Sequence, residues 1–292
     1  MAELYGGLAT LLGLPRVRVC TLGDLLLDVI VRLGRPLAPG GDAPAETLVG
    51  PGGQAANVAA WVAALGGAAR FVGKRGDDEA GALVSGRLST HGVEVAGPVV
   101  TGKTGVVVSL VDPSGERTMA ADRGIAPELE PGDLEDAWFA DCDWLHLSGY
   151  ALTATPVCRA AAQAAALARV AGARLSVDLA SWSAIRDAGP EHVRERIEAL
   201  SPELVFANVQ EAEIIGSLSA PTQVLKRGDL GCSVETESES LELPAVPAAV
   251  VDTTGAGDAF AAGFLLGGSF EEAAKRGLAA AARAVAQLGA MP

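Results

Sequence analysis

The chain has 292 residues, of which 49% are hydrophobic, and its formal net charge is −14 at pH 7. This length and apolar fraction predict one domain over 1–292 with a large buried core. Nucleic-acid polymers and anionic membrane surfaces are excluded as expected partners, because both need a cationic surface and the chain has no Lys- or Arg-rich run.

The start of the chain and its cysteines indicate the compartment. Residues 8–14 are apolar but follow no basic residue, which is not typical of a signal peptide. No apolar run is long enough to span a membrane. The four cysteines form no C-x-x-C pair and no zinc pattern, and so few cysteines are typical of a reducing compartment. We therefore expect a cytoplasmic protein.

In the first half of the chain, strand and helix patterns are separated by Gly-rich segments. The predicted elements are strands over 17–22 and 69–73 and helices over 54–65 and 78–91. Two excursions, 34–50 and 97–125, do not follow this alternation. Within the second, 106–111 and 117–121 flank a turn and predict a β-hairpin. We interpret the two excursions as a small β lid.

The second half alternates strands and helices regularly. The predicted strands cover 144–147, 175–178, 204–207, 222–225 and 246–251, and the predicted helices cover 156–171, 191–200, 210–215, the residues from 260 onward and 270–288. Such alternation predicts a mostly parallel sheet covered by helices on both faces, which is a three-layer α/β/α sandwich.

The segment 252–258, D-T-T-G-A-G-D, carries the strongest chemical signal. It lies between a predicted strand and a predicted helix. Gly255 and Gly257 permit a tight turn and a close approach to a ligand. The N–H groups at the start of the helix would then converge on a phosphoryl group. Asp258 beside this anion hole suits a base that takes a proton from an attacking hydroxyl. An ordinary capped helix start is the alternative interpretation.

Three further motifs carry polar side chains next to predicted turns. Segment 52–59, G-G-Q-A-A-N-V-A, offers close backbone approach and an Asn amide that can donate and accept hydrogen bonds. Segment 23–28, G-D-L-L-L-D, offers carboxylates that suit the hydroxyls of a polyol. Segment 208–211, N-V-Q-E, is also typical of a simple helix cap with an acid in the first turn.

With these motifs, and over nearly its whole length, the sequence resembles the ribokinase (phosphofructokinase-B) family of carbohydrate and nucleoside kinases. The resemblance implies a ribokinase-like fold and transfer of the γ-phosphoryl group of ATP, with Mg²⁺, to a hydroxyl of a sugar or sugar-like molecule. It implies that Asp258 is the catalytic base and that the amides of Gly255, Ala256 and Gly257 form the anion hole. It also implies a homodimer joined through the lids.

The resemblance assigns binding roles to other residues. The substrate would be bound by Asp28, with Asp24 as second choice, and by Gly52, Gly53 and Asn57. The nucleotide and its phosphates would be bound by Asn208, Glu211, Lys226, Gly228, Gly231, Asp252 and Thr254. Glu211 would act on Mg²⁺ through metal-bound water, which fits the preference of Mg²⁺ for keeping several waters. Asp252 is a candidate ligand for a monovalent cation such as K⁺.

Three positions depart from the family pattern. Lys226 stands where the family often has Thr, and its cation could contact a phosphate or be solvated. Gly277 falls where some members place an Asn near the adenine. The chain stops at Pro292, three residues after Gly289, where some members continue and complete a monovalent-cation site. Potassium activation is therefore left open.

Two other motif matches favour different enzymes and are set aside. Segment 97–104 matches the P-loop pattern, but it leads into a β-rich run instead of a helix. Segment 50–55 resembles a dinucleotide-binding loop, but it follows two earlier β-like segments and no acid ends a second strand at the expected distance. His146 lies on a strand that looks buried, so we expect a satisfied core histidine and not a catalyst.

The acceptor itself is not identified by the sequence. A free sugar, a sugar acid, a sugar phosphate and a nucleoside all remain open, although the aromatic content of 4% disfavours a nucleobase-stacking pocket. Arg117 or Arg123 could reach an anionic substrate group from the lid, but a solvated surface charge is the expected state of each. A non-catalytic sugar- or nucleotide-binding regulator is the alternative from another class, and the intact Asp258 with its Gly-rich turn argues against it.

Overall fold

A nine-stranded sheet forms the centre of the computed structural model, which describes residues 16–114 and 117–292. The apolar stretch 8–14 and the turn residues Gly115 and Glu116 lie outside the described residues. In chain order, the strands are β1 (Arg18–Leu22), β2 (Leu26–Leu33), β3 (Ala45–Gly52), β4 (Ala68–Val72), β5 (Arg75–Gly76), β6 (Val93–Ala96), β7 (Val99–Val100), β8 (Thr104–Val111), β9 (Arg117–Gly124), β10 (Trp144–Ser148), β11 (Arg174–Asp178), β12 (Leu204–Asn208), β13 (Thr222–Lys226), β14 (Cys232–Thr236) and β15 (Ser240–Leu243). The helices are α1 (Gln54–Ala64), α2 (Glu79–Thr90), α3 (Val157–Val170), α4 (Trp182–Ala188), α5 (Pro190–Leu200), α6 (Val209–Ile215), α7 (Ala256–Leu265) and α8 (Phe270–Val285).

The central sheet has the strand order β15-β14-β13-β12-β11-β10-β1-β4-β6. The seven strands from β13 to β6 in this order are parallel, and β14 and β15 continue the sheet in antiparallel pairing. The predicted α/β fold with a mostly parallel sheet is confirmed. The direction of the chain across the sheet reverses between β1 and β10, and in such folds ligands bind near this point, beyond the carboxyl ends of the strands.

Alternating side chains of the strands supply two separate hydrophobic cores. On β12, Leu204 and Phe206 face the core that contains α1, α7 and α8, whereas Val205 and Ala207 face the core that contains α3 and α5. This alternation is the period-two geometry of a strand buried on both faces. The two cores make the three-layer arrangement that the sequence predicted.

A second sheet of four strands has the order β3-β2-β8-β9. The predicted hairpin is present, because β8 and β9 pair antiparallel. The predicted excursion 34–50 overlaps β3, and the excursion 97–125 contains β8 and β9. The sequence did not assign β2 to this sheet, although β2 pairs with both β3 and β8. We refer to these four strands as the lid sheet.

The predicted strand over 246–251 is wrong. This segment has no regular secondary structure, and Val246, Val250 and Val251 are exposed. The Pro residues at 244 and 247 remove the backbone donors that a strand would need. The sequence analysis also missed β14 and β15, which precede this segment and complete the sheet.

Aromatic packing holds α7 against the centre of the sheet. The Phe206 ring, which has no exposed surface, meets the edges of Phe260 and Phe264 with centroid distances of 6.3 Å and 5.4 Å. Because α7 begins at the predicted anion hole, this cluster fixes the position of that turn against β12. No helix within 16–114 and 117–292 has the length and apolarity that crossing a membrane would need.

We predict that Phe206→Ala lowers the free energy of unfolding by about 3–5 kcal/mol, because the substitution opens a cavity where two other rings pack. Urea unfolding followed by circular dichroism measures the loss. The matched control is Phe270→Ala at the exposed start of α8, where 38% of the residue is accessible; its loss should be about 1 kcal/mol or less. Equal losses in the two variants would contradict the packing described for Phe206.

Candidate active site

A cleft of about 880 Å³ lies between the central sheet and the lid sheet. Its floor is formed where β1, β10, β11, β12 and β13 end, which is the position expected for ligands in an open parallel sheet. One wall is formed by β2, β8 and β9 of the lid sheet, and another by α7, α8 and the segment 245–250. The residues singled out by the sequence can therefore be located relative to one cavity.

The turn before α7 has the geometry that the Gly residues predicted. Gly255 adopts a left-handed conformation with φ of 73°, and a Cβ atom there would lie 2.6 Å from the carbonyl oxygen of Ala290. Only glycine fits without displacing the backbone. The first N–H groups of a helix have no intrahelical acceptor. Of those in α7, the Ala256 N–H makes a long hydrogen bond of 3.4 Å to the Thr253 carbonyl oxygen. Ala256 and Gly257 open this first turn and line the cleft.

Asp258 lies in the first turn of α7, where its carboxyl group accepts a hydrogen bond of 2.7 Å from the Asn57 side-chain amide. Loss of hydration inside the cleft raises the pKa of Asp258 to about 7. The Asn57 hydrogen bond and the Lys226 charge oppose this rise, whereas the carboxylates of Asp178 and Asp28 add to it. A carboxyl group with this pKa can both accept and release a proton near neutral pH.

A buried ion pair lies beside the anion-hole turn. The Lys226 ammonium at the end of β13 is 2.6 Å from the carboxylate of Asp178, which ends β11 and is fully buried. A Cβ atom on Gly257 would lie 3.2 Å from the Lys226 Nζ atom, so the cation adjoins the turn. Burial alone would lower the pKa of Lys226, but the Asp178 and Glu211 carboxylates outweigh it and raise the pKa. Lys226 is therefore charged and paired, and it is not solvated.

Asn208 and Glu211 cap the start of α6 reciprocally. The Glu211 N–H donates to the Asn208 side chain, and the Asn208 backbone N–H and side-chain amide donate to the two Glu211 carboxyl oxygens, each at 2.8 Å. Burial raises the pKa of Glu211. Both carboxyl oxygens are thus engaged within the protein, which fits a contact with Mg²⁺ through water better than direct coordination. Among the described residues, no group of three His, Cys, Asp or Glu side chains could hold a metal ion.

Asp28 and the start of α1 form the end of the cleft nearest the lid sheet. Gly53 has φ of 98°, and a Cβ atom there would lie 2.3 Å from the carbonyl oxygen of Asp24. A Cβ atom on Gly52 would lie 2.0 Å from the Asp28 carboxyl carbon, so both glycines are required by close contacts. Burial raises the pKa of Asp28 to about 6, which the nearby Arg117 partly opposes. In the described part of the chain, the Asp28 carboxyl group accepts no hydrogen bond.

Arg123 of the lid sheet is bound to the body of the protein and is not a solvated surface charge, contrary to the expectation from sequence. Its Nε and Nη2 atoms donate to the two carboxyl oxygens of Asp24 at 2.6 Å and 2.9 Å. It also donates to the carbonyl oxygen of Tyr150 and lies 5.5 Å from the centre of the Tyr150 ring. Asp24 is therefore occupied by an arginine in this structure.

Arg117 at the other end of β9 was likewise expected to be solvated. The residue is exposed, as expected, but its side chain also contacts the body of the protein. Its guanidinium donates to the Thr254 hydroxyl and lies 3.8 Å from the Asp252 carboxylate. Asp252 also accepts hydrogen bonds from the Thr254 and Gly289 N–H groups at 2.9 Å and 3.0 Å. Although burial opposes it, these contacts lower the pKa of Asp252. Asp252 thus organises the turn, and its role as a ligand of K⁺ stays a prediction.

The far end of the cleft is mostly apolar. Gly228 and Gly231 flank a short turn at its rim, with φ of 60° and 91°. Beyond them the lining consists of small apolar side chains on 245–250 and on α8. Gly277 does not line the cleft but packs against Phe260, where a Cβ atom would lie 2.9 Å from the carbonyl oxygen. This end is suited to a flat apolar group such as a nucleobase.

The structure brings nearly all residues of the sequence prediction to this one cleft. The lining includes Asp24, Asp28, Gly53, Asn57, Asn208, Glu211, Lys226, Gly228, Gly231, Thr254, Gly255, Ala256, Gly257 and Asp258. Gly52 and Asp252 lie behind the surface and support Asp28 and Thr254. Asp178 and Tyr150 were missed. Asp178 ends a predicted parallel strand, and that position was a usable signal, because ligands bind at the carboxyl ends of such strands.

Segment 97–104 and His146, which were set aside on sequence grounds, do not contribute to the cleft. Lys103 precedes β8 and pairs with the exposed Asp122, so segment 97–104 does not lead into a helix. His146 is fully buried, hydrogen-bonded to Ser176 at 2.9 Å, and outside the cleft lining. Burial lowers the pKa of His146 to about 4, which keeps it neutral. Its Nε2 atom has no partner among the described residues.

Comparisons with known proteins show the family of this chain. A family model described as pfkB family carbohydrate kinase matches residues 17–292. An ATP-dependent ribose-1-phosphate kinase of Halopiger xanaduensis is 33% identical over 263 residues, which cover 85% of this chain and 84% of that protein. A fructokinase of Klebsiella pneumoniae is 32% identical over 270 residues, which cover 86% and 84%. The crystal structure of an adenosine kinase from Sinorhizobium meliloti matches with a TM-score of 0.83 and 28% identity, covering 95% and 96% of the two chains.

We predict that Asp178→Asn lowers the free energy of unfolding by about 3 kcal/mol, because it leaves the buried Lys226 ammonium without its nearest counter-charge. The double variant Asp178→Asn/Lys226→Met should recover most of this loss, since it removes both charges. Glu271→Gln is the control, because it breaks an exposed ion pair with Lys275 and should cost about 0.5 kcal/mol or less. Urea titration of five proteins, including wild type and the Lys226→Met single variant, measures these differences, and additive losses in the double variant would contradict the coupling.

Proposed function

Because the chain belongs to the pfkB family of carbohydrate kinases, we propose that it transfers the γ-phosphoryl group of ATP to a hydroxyl of a sugar or sugar-like molecule. Kinases of this family are phosphotransferases with an alcohol group as acceptor. The observation that carries the proposal is the placement of the Asp258 carboxyl group, with a pKa of about 7, in the first turn of α7. This places a base next to the N–H groups of an anion hole.

In the proposed reaction, the acceptor hydroxyl attacks the γ-phosphorus while its proton passes to Asp258. The bond between the γ-phosphorus and the bridging oxygen breaks, and ADP leaves. The N–H groups of Gly255, Ala256 and Gly257 stabilise the charge on the phosphoryl oxygens during transfer, when that charge is most spread out. The Lys226 ammonium adjoins the same turn and adds positive charge there.

Asp28, Gly53 and Asn57 would position the acceptor. The Asp28 carboxyl group can accept hydrogen bonds from two hydroxyls. Asn57 holds Asp258 through its amide, so it would couple the position of the base to the acceptor end of the cleft. Gly52 keeps the space that Asp28 occupies.

The nucleotide would occupy the other half of the cleft. The nucleobase would lie against 245–250 and α8. The phosphates would lie near Gly228, Gly231, Asn208, Glu211 and Thr254. Mg²⁺ would supply charge neutralisation at the phosphates when bound, with Glu211 acting on it through water. Asp252 would hold the Thr254 turn in place, and whether it also binds K⁺ is left to measurement.

The lid sheet would exclude water, which is the competing acceptor in phosphoryl transfer. We further propose that the protein is a cytoplasmic homodimer joined through its lid sheets. The edge strand β3, which exposes Leu48 and Val49, supports this contact because an unpaired strand edge is a natural pairing surface.

A nucleoside kinase is the second candidate within the same chemistry. The structural match to an adenosine kinase favours it. The relatives named ribose-1-phosphate kinase and fructokinase leave open whether the acceptor carries a phosphate. A non-catalytic regulator remains the alternative from a different class, and it would not require the raised pKa of Asp258.

We predict that Asp258→Asn lowers kcat by about 10²–10⁴-fold, because the amide cannot take the proton of the acceptor hydroxyl. The measurement is ADP release with ATP and Mg²⁺ against a panel of sugars, sugar acids, sugar phosphates and nucleosides. Asp187→Asn removes an exposed carboxylate outside the cleft and should leave turnover unchanged. Turnover of the Asp258→Asn variant within about tenfold of the wild-type value would rule out its role as a general base.

We predict that kcat/KM for the acceptor falls about tenfold for each pH unit below about 7 and reaches a plateau above that pH. Asp258 must be deprotonated to accept a proton, and its raised pKa of about 7 puts its protonation in this window. The Asn57 hydrogen bond lowers this pKa, so Asn57→Ala should move the midpoint to higher pH. A midpoint near pH 4 in the wild type, where an ordinary carboxyl group titrates, would contradict this assignment.

A further inference from the structure

Both arginines of β9 connect the lid sheet to the body of the protein. Arg117 and Arg123 are six residues apart on one strand, so their side chains leave the same face, and both line the cleft. Arg123 binds Asp24, in the loop after β1, and Arg117 binds Thr254 and Asp252 in the turn before α7. The lid sheet is therefore held at two separate points of the body.

Arg123 cannot be withdrawn from Asp24 without a penalty. The Asp24 carboxylate is only 4% exposed, and both its oxygens accept hydrogen bonds from Arg123. If the guanidinium moved to an anionic group of a substrate, a buried carboxylate would lose its counter-charge. The Nη1 atom of Arg123 is 3.4 Å from the Thr153 hydroxyl, and Nη2 also donates to the Tyr150 carbonyl oxygen. Arg123 therefore has hydrogen-bond partners on several sides.

Arg117 contacts the turn before α7, where phosphoryl transfer is proposed to occur, so it is not placed to bind an anionic group remote from the transferring phosphate. Its guanidinium contacts the turn before α7 and adds positive charge near Asp28. It therefore lies next to the place of phosphoryl transfer, not at the opposite end of the acceptor. Lys226 is similarly bound to Asp178 on the nucleotide side.

Among the described residues, the rest of the acceptor end provides no further cation that could bind an anionic group. The lid sheet presents Leu26, Val107, Met119 and Ala121 to the cleft. The start of α1 also faces this end, and a helix N-terminus favours negative charge. However, the Asp28 carboxyl group already lies against the Gly residues that precede the helix.

The charges and the hydrogen-bonding groups of the cleft lining also disfavour an anionic acceptor. The described lining of the cleft contains the cations Arg117, Arg123 and Lys226 but six carboxyl groups, those of Asp24, Asp28, Asp178, Glu211, Asp229 and Asp258. Each cation has a carboxylate partner. The Asp28 carboxyl group, by contrast, accepts no hydrogen bond from the described residues. An acceptor-rich surface binds hydrogen-bond donors such as hydroxyls, and a phosphate or carboxylate group offers mainly acceptors.

We infer that the acceptor is an uncharged polyhydroxyl compound, and that Arg117 and Arg123 are positioning residues which hold the lid sheet against the body. The inference rests on the proposed kinase function and narrows its substrate class. A sugar phosphate would place its negative charge near carboxyl groups with no unpaired cation to meet it. The paired arginines then act as a filter against sugars that are already phosphorylated.

The test compares matched pairs of acceptors that differ by one phosphate, such as D-fructose with D-fructose 6-phosphate and D-ribose with ribose 1-phosphate. For each pair, kcat/KM is measured with saturating ATP and Mg²⁺. The uncharged member should be preferred by at least about tenfold, since like charges brought together in a binding site cost several kcal/mol. Preference for the phosphorylated member of any accepted pair would overturn the inference and leave the kinase function intact. No transfer to any acceptor would instead overturn the proposed function.

A variant isolates the contribution of the ion pair. Asp24→Asn keeps the shape of the side chain but removes the charge that holds Arg123, so the guanidinium becomes available to an anionic acceptor. The preference for the uncharged member should fall by at least about fivefold, mainly through a lower KM for the sugar phosphate. Asp122→Asn is the matched control, because Asp122 neighbours Arg123 on β9 but pairs with Lys103 outside the cleft. It should not change the preference.

A change in acceptor preference can be distinguished from a loss of folding in each variant. Circular dichroism and thermal melting establish that each variant is folded before its kinetics are compared. If Asp24→Asn does not fold, the wild-type preference across the matched pairs still decides the inference. If it folds and the preference is unchanged, Arg123 does not act as the filter, and that part of the inference is wrong.

Discussion

The arrangement of the cleft depends on one constraint, which is that the Asp258 carboxyl group must be shielded from water and yet ionise near neutral pH. Burial alone would keep it protonated, and full hydration would make it too weak a base. In this structure the carboxyl group lies in the cleft and is partly buried, and Asn57 donates a hydrogen bond to its charged form. Because Asn57 belongs to α1 and Asp258 to α7, the base forms only when these two helices pack correctly. The Phe206 cluster, which holds α7 on the sheet, therefore contributes to the chemistry as well as to stability.

A second constraint is electrostatic. The chain is acidic, and its cleft contains more carboxyl groups than cations, yet the proposed donor is a polyanion. Backbone N–H groups at the start of α7 resolve this conflict, because they stabilise a phosphoryl group without adding formal charge. The cations that are present are distributed in pairs with carboxylates, such as Lys226 with Asp178. Such pairs fix geometry more than they attract ions, since each cation is largely neutralised by its partner.

The sequence predicted the parts of this structure that depend on local pattern. Alternation of apolar runs with helical periodicity was sufficient for the parallel sheet. The segment 252–258 was sufficient to predict the glycine turn before α7 and to bring Asp258 to the cleft. The segment 246–251 was misread, since an apolar run that lines a cleft has the composition of a buried strand. The pairs Asp178–Lys226 and Asp24–Arg123 could not be predicted. Their partners are 48 and 99 residues apart in sequence, and no local pattern records which charges meet after folding.

In the proposed mechanism, these distant pairs select the acceptor, whereas the local motif carries out the phosphoryl transfer. In the proposed mechanism, the D-T-T-G-A-G-D segment would provide a base and an anion hole for any hydroxyl that reaches them, so it carries no information about the rest of the acceptor. Selectivity among acceptors would then come from the wall formed by the lid sheet, where β9 places Arg123 against Asp24. The sequence does not distinguish an arginine that is paired with a buried carboxylate from an arginine that faces solvent. Only the second offers an unpaired positive charge to an anionic substrate. The inferred preference for an uncharged acceptor therefore depends on ion pairing between the lid sheet and the body of the protein, and not on the local motif.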